Sequence, residues 1–295
     1  MLLAIFVGGT SLFGMPFTVW RIYSEQRYTP TIGDIAIIST ASFALTAWIG
    51  VLLSKRSWRE LFFLNRTGPS LIPASMILAL GMAIVSSEIY NLTLFLIPMP
   101  SFFASLFEGL FDLSANPVTG TLALVVVAPI TEEIICRRWL LESLLQRYRP
   151  GISIAISAAA FGAMHMNPWQ FFYATALGLG LGWLYWRTRS VVLCMMWHAL
   201  NNSLAVIFAY WELDIEGFRR APEGVTEFHP LWLNGMGVGL LLIGGGLLWW
   251  QTRRSLQTTS DAHVTHASQT PPPLPAVIAI PPAIPPESRP PQLDV

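Results

Sequence analysis

The stretch Thr131 to Arg138, TEEIICRR, sets two adjacent carboxylates and two guanidiniums against a long apolar run from Val118 to Ile130. A charged side chain near the middle of a membrane-spanning helix costs from about 2.5 kcal/mol upward, so carboxylates kept there are expected to do work. Glu133 and Arg137 are four residues apart, on one helical face and in the favourable order, acid before base. Pairing them gives Glu133 a structural task and leaves Glu132 as the candidate general base.

Two later apolar segments bring in more polar side chains. FGAMHMNPW places Phe161 and His165 four apart, and MMWHALNN does the same for His198 and Asn202. Peptide hydrolysis needs an activated water, a base for its proton and donors for the tetrahedral oxyanion. Glu132 with His165 can supply the first pair, and His198 with Asn202 the donors. A metal is the competing account, because Glu132, His165 and His198 would make a three-ligand zinc site with an open water position. No HExxH occurs in the chain. Taken singly, an intramembrane His or Asn is as readily an interhelical hydrogen-bonding group; the combination on successive segments carries the argument.

The elements that must position these residues are membrane helices. The chain has 295 residues, is 53% hydrophobic and 12% charged, and has a mean hydropathy of +0.53, outside the range of ordinary soluble domains. Net charge is zero and 16 of the 17 basic residues are arginine, most of them at segment ends, which argues against a nucleic-acid partner. Cys136 and Cys194 lie in apolar segments and offer neither a disulfide framework nor a CxxC spacing. With roughly 20 apolar residues per crossing, an all-α bundle of about eight segments is expected near 2–20, 35–54, 70–97, 118–140, 151–166, 169–186, 190–210 and 231–250. Residues 57–65 and 101–113 read as interfacial. The first segment lacks a basic n-region and a clear small-residue cleavage site and reads as a retained span.

A ruler along the hairpin of the fourth and fifth segments puts Glu132 about 17 residues before the turn and His165 about 15 after it, hence at similar depth. His198 lies about 10 residues from its own loop, so the fourth span must project roughly 10 Å further toward the cytosol. The fifth segment is short and rich in small residues, which favours close helix packing beside a cavity. Loops after even-numbered spans carry ten basic residues and the opposite loops four, so both termini are expected in the cytoplasm. Glu88, another intramembrane acid, reads at least as well as a hydrogen-bonded packing residue. From Leu256 onward Pro, Ser and Thr dominate, and a disordered cytoplasmic tail is expected. The expected organisation is N-terminal helices over 1–117, a catalytic core over 118–210, a loop and last span over 211–255, and the tail over 256–295.

EExxxR at Glu132 to Arg137, FxxxH at Phe161 to His165 and HxxxN at His198 to Asn202, in that order, resemble the signature of the CAAX protease and bacteriocin-processing family (CPBP, or Abi) of intramembrane endopeptidases. The resemblance covers about residues 118–210. It implies a helical membrane enzyme whose cavity opens to the cytosolic leaflet. Glu132 and His165 would activate water, His198 and Asn202 would stabilise the oxyanion, Glu133 and Arg137 would hold the first motif in shape, and Phe161 would pack beside His165. Both a zinc metalloprotease and a metal-free glutamate mechanism have been argued for such proteins. The implied substrate is a membrane-associated protein or peptide, prenylated at a CAAX terminus in the best-known relatives, and the implied location is the plasma (inner) membrane if the source is bacterial. Rival readings are a non-catalytic scaffold, a bacteriocin self-immunity protein and a proton-relay transporter. No inverted repeat supports the last.

Overall fold

The computed structural model describes residues 40–46, 48–49, 52, 67–110, 117–211, 215–218 and 226–267. Among these residues every regular element is helical. The helices are α1 (Leu71–Leu96), α2 (Ser101–Leu110), α3 (Pro117–Leu145), α4 (Pro150–Ala163), α5 (Pro168–Thr188), α6 (Val191–Trp211) and α7 (Leu231–Ala267). Residues 40–46 are also helical, and Phe43 stacks on Trp139 of α3 at 5.7 Å.

Prolines and one asparagine punctuate the chain. Pro98 and Pro100 follow the end of α1, and Pro117, Pro150 and Pro168 open α3, α4 and α5, where the missing N–H would have had no helical partner. Asn167 caps α5 by accepting a hydrogen bond from the Gln170 N–H at 2.8 Å, and Arg189, at φ 52°, closes the same helix in the left-handed region.

Six of the eight expected segments correspond to described helices, whereas 2–20 and most of 35–54, together with the expected interfacial stretch 57–65, lie outside the described residues. Among the described residues four helical stretches are long and apolar enough to cross a bilayer: Leu71–Leu96, Pro117–Leu145, Val191–Phe208 and Leu231–Arg253. The protein is a multi-pass membrane protein. α4, with 14 residues, is about 21 Å long at 1.5 Å per residue. α5 is long enough to cross but more polar, and it packs against α4, α1 and α6. Its Arg187, counted above among loop charges, is instead buried: its guanidinium donates to Thr252 Oγ1 at 2.7 and 3.0 Å and lies 4.2 Å over the Trp249 ring.

The compact unit ends at Arg253. Residues 254–267 are helical, so the expected tail is helical over 256–267; Pro271, the first proline of the Pro-rich run, comes four residues after the helix ends. Residues 268–295 lie outside the described residues.

Small residues set the helix spacing. A Cβ on Gly178 would lie 3.0 Å from the Ala158 Cα, and one on Gly182 3.0 Å from the Ile154 side chain, which is how α4 and α5 form a tight hairpin. On the other side α1 meets α7, where a Cβ on Gly81 would lie 2.6 Å from the Leu241 nitrogen and 2.7 Å from the Gly237 oxygen. Both obstacles are backbone and neither can swing away. Gly81→Ala is therefore expected to destabilise the folded protein by about 1–3 kcal/mol, whereas Gly151→Ala, whose Cβ meets nothing within 4 Å, should unfold with the wild type. Thermal unfolding of the two variants in detergent checks the contrast.

Candidate active site

The departures from α-helical geometry are concentrated in α3. Ala123–Val127 and Ile134–Leu141 are π-helical, on either side of the α-helical turn Ala128–Glu133 that carries both glutamates. Wide π turns of this kind recur at functional sites, and here Pro129 exploits one. The Ala128 N–H reaches back five residues to the Ala123 carbonyl. The next N–H along would serve Leu124, but residue 129 is proline and has none. The Leu124 carbonyl is thereby left for a neighbouring helix, and Asn202 Nδ2 donates to it at 2.8 Å. In the second π stretch the Cys136 carbonyl accepts from Ser157 Oγ of α4 at 2.9 Å.

Glu133 is fully buried and its Oε1 accepts two hydrogen bonds, from Arg137 NH1 at 2.9 Å and from His198 Nδ1 at 2.9 Å. Arg137 is also fully buried; its guanidinium carbon lies 4.5 Å over the Phe161 ring and NH2 points at the Gly178 carbonyl, 3.4 Å away. Glu132 is different. Its side chain is 23% exposed and its Oε2 stands 3.9 Å from His198 Nε2. Because Nδ1 is engaged with Glu133, Nε2 is the nitrogen His198 presents toward Glu132.

His165 sits at the end of α4, half-buried, with Nδ1 donating to the Phe161 carbonyl at 3.0 Å. That bond leaves Nε2 of a neutral imidazole as an acceptor. The turn beyond it is tight: Met166 adopts φ 53°, a left-handed conformation that costs a non-glycine residue on the order of 1 kcal/mol. Phe161 touches both imidazoles edge-on, with centroids 5.4 Å from His165 and 5.6 Å from His198.

The seven residues singled out from sequence thus fall on three neighbouring helices. Phe161 joins Arg137, His165 and His198, and the Glu133–Arg137 pair forms as the spacing suggested. The imidazole that faces Glu132 is His198, however, and among the described residues no ion pair joins Glu132 to His165. Glu88 is a hydrogen-bonding hub elsewhere, accepting from Asn91 Nδ2 at 3.1 Å, the His229 N–H at 3.0 Å and Asn234 Nδ2 at 2.9 Å. Sequence reasoning passed over Pro129, Tyr173 and Asn201; a proline inside a span and the tandem Asn201–Asn202 were the available signals.

Zinc would require Glu132, His165 and His198 to converge on one point. Among the described residues no three His, Cys, Asp or Glu side chains are grouped so as to share an ion. As placed, the three do not make a zinc site.

A helical membrane protein with carboxylates, imidazoles and amides gathered inside its bundle is thus defined by fold and geometry. Residues 114–204, the segment that carries all three motifs, match the family model described as Type II CAAX prenyl endopeptidase Rce1-like. The chain is also similar to YdiL of Bacillus subtilis (strain 168), named as a candidate membrane peptidase: 30% of positions are identical over 111 residues, which is 38% of this chain and 43% of that protein. The chain thus spans less than half the length of that relative. No solved structure matches. Over residues 114–204 the chain is thus similar to the Rce1-like endopeptidases, in agreement with the resemblance drawn from the three motifs.

The two glutamates are expected to separate experimentally. Glu133→Gln strands the Arg137 charge in the interior and should cost about 3–5 kcal/mol of stability. Glu132→Gln, at a partly exposed position, should unfold with the wild type; chemical denaturation of the two variants in matched detergent is the check.

Proposed function

We propose that the protein is an intramembrane endopeptidase that hydrolyses a peptide bond in a membrane-associated protein or peptide. The observation that carries this reading is the division of labour between two adjacent carboxylates: Glu133 is paired with Arg137 and hydrogen-bonded by His198, and Glu132 faces His198 with nothing else within ion-pair distance among the described residues. The match of residues 114–204 to an endopeptidase family, and a relative named for peptidase activity, support it.

In this reading Glu132 and His165 Nε2 are both acceptors, and together they orient a water so that its lone pair points at the scissile carbonyl. Glu132 takes one water proton as the hydroxide adds to the carbonyl carbon. The oxygen of the tetrahedral intermediate receives hydrogen bonds from His198 Nε2–H and from the second Nδ2–H of Asn202, the first being committed to Leu124. In this scheme His198 is an imidazolium throughout, its Nδ1–H on Glu133 and its Nε2–H toward Glu132 before the attack; as Glu132 takes the water proton the negative charge passes to the oxyanion and the Nε2–H bond follows it. Collapse of the intermediate breaks the C–N bond, and the proton held by Glu132 passes to the leaving amine.

No step in this scheme runs through a metal. Chelators are accordingly expected to leave the rate unchanged, and a rate lost to chelator and restored by zinc would overturn the metal-free scheme. The finer proposal is a lipidated substrate, with a prenylated CAAX terminus as the first candidate.

Cleavage of a farnesylated CAAX peptide and of a quenched unmodified peptide library by purified protein tests the reading. Wild type is expected to cut, and Glu132→Gln and His165→Ala are each expected to lose roughly 10²–10⁴-fold in kcat. Cleavage that survives both substitutions would sink the assignment. Preference for the farnesylated peptide would favour the lipidated class, and equal rates would overturn it.

A further inference from the structure

The freed Leu124 carbonyl has an effect that travels beyond Asn202. An amide has a donor end and an acceptor end, and one fixed contact decides which way it faces. Because Asn202 Nδ2 is turned to the Leu124 carbonyl, its Oδ1 faces away, toward Asn201. That oxygen requires a donor, so Asn201 must present Nδ2 to it, 3.4 Å away. The same Nδ2 lies 2.6 Å from the Tyr173 hydroxyl oxygen. The phenol oxygen is therefore an acceptor, and its own proton is not consumed by Asn201. The reverse orientation of Asn201 would set two carbonyl oxygens against each other.

Tyr173 belongs to α5 and reaches the polar side of α6. Its ring is held edge-on to Tyr90 of α1 with centroids 6.4 Å apart, and its side chain is half-buried. Its hydroxyl has one hydrogen-bonding partner among the described residues, Asn201. An O–H poised two hydrogen bonds from Asn202 is suited to the same task as Asn202, which has only one N–H left to offer.

We propose that the Tyr173 hydroxyl is a further donor to the oxyanion formed at the scissile carbonyl, with Asn201 as the positioning residue that turns its proton toward the reacting atoms. This rests on the peptide-hydrolase reading above. The hydroxyl forms no covalent bond and gives up no proton in the step; it donates one hydrogen bond as charge develops on the carbonyl oxygen, and that bond is weaker in the ground state.

The experiment compares wild type, Tyr173→Phe, Asn201→Asp and the double variant, with the farnesylated CAAX peptide and the unmodified peptide library as substrates. Phe keeps the ring against Tyr90 and removes only the hydroxyl. Asp keeps the shape of Asn201 but replaces its donor by an acceptor, which draws the phenol proton away from the site. Each single variant is expected to lose roughly 10²-fold in kcat with KM unchanged. The double variant should fall no further than the worse single, because both act on one proton.

Binding of a phosphinic peptide, whose tetrahedral phosphorus imitates the intermediate, separates this role from a structural one. Tyr173→Phe should weaken the phosphinic peptide by a factor similar to its loss in kcat and leave binding of an uncleaved substrate peptide to Glu132→Gln protein unaffected when the two substitutions are combined. Equal weakening of both ligands overturns the donor role. Wild-type kcat in Tyr173→Phe, with Glu132→Gln inactive, overturns this proposal and leaves the hydrolase reading standing. A wild type that neither cleaves a peptide nor binds the phosphinic analogue overturns both.

Discussion

A single carboxylate oxygen, Oε1 of Glu133, organises the polar interior. It accepts from Arg137 on its own helix and from His198 on α6, so one buried anion ties α3 to α6 and fixes a ring nitrogen of the histidine. Desolvating three ionisable groups at once is costly, and removing any one leaves the others without compensation. The arrangement is better understood as a device for orientation than as a source of stability. Phe161 extends it: its ring supports the guanidinium on its face and meets both imidazoles edge-on, so α4 is held in register with the same cluster.

Pro129 adds a second constraint, acting through the backbone. By withholding one N–H in a π turn it releases one carbonyl, and that carbonyl sets the direction of Asn202 and, through it, of Asn201 and the Tyr173 hydroxyl. A local defect in hydrogen bonding thus becomes a polar chain that crosses three helices. Buried networks of this sort are worthwhile only when their members are paired in a consistent direction, and the direction here originates in the sequence of α3 alone.

Much of this was legible in the sequence because the bilayer makes charge conspicuous. Glu132, Glu133, Arg137, His165 and His198 stood out against hydrocarbon, and four-residue spacing was enough to pair Glu133 with Arg137. Helix starts were readable from Pro117, Pro150 and Pro168. Rotation about the helix axes was not. A ruler gives depth, and depth allows Glu132 to meet His165; it does not say which imidazole stands within ion-pair distance of Glu132, which here is His198 of α6. Nor could a loop count reveal that Arg187 is stacked on Trp249, or a compositional boundary that helix persists to Ala267. Tyr173 escaped notice because an aromatic residue in an apolar helix looks like core until its hydroxyl is seen to have a partner.

The shortness of α4 bears on how water would reach a site of the proposed kind within a bilayer. A helix of 14 residues is about 21 Å long, about 9 Å less than a hydrocarbon layer about 30 Å thick. Lipid tails must thin there or give way to solvent. His165 lies just beyond the end of that helix. Such a mismatch between helix and bilayer would bring water toward the half-buried His165 without a pore through the bundle.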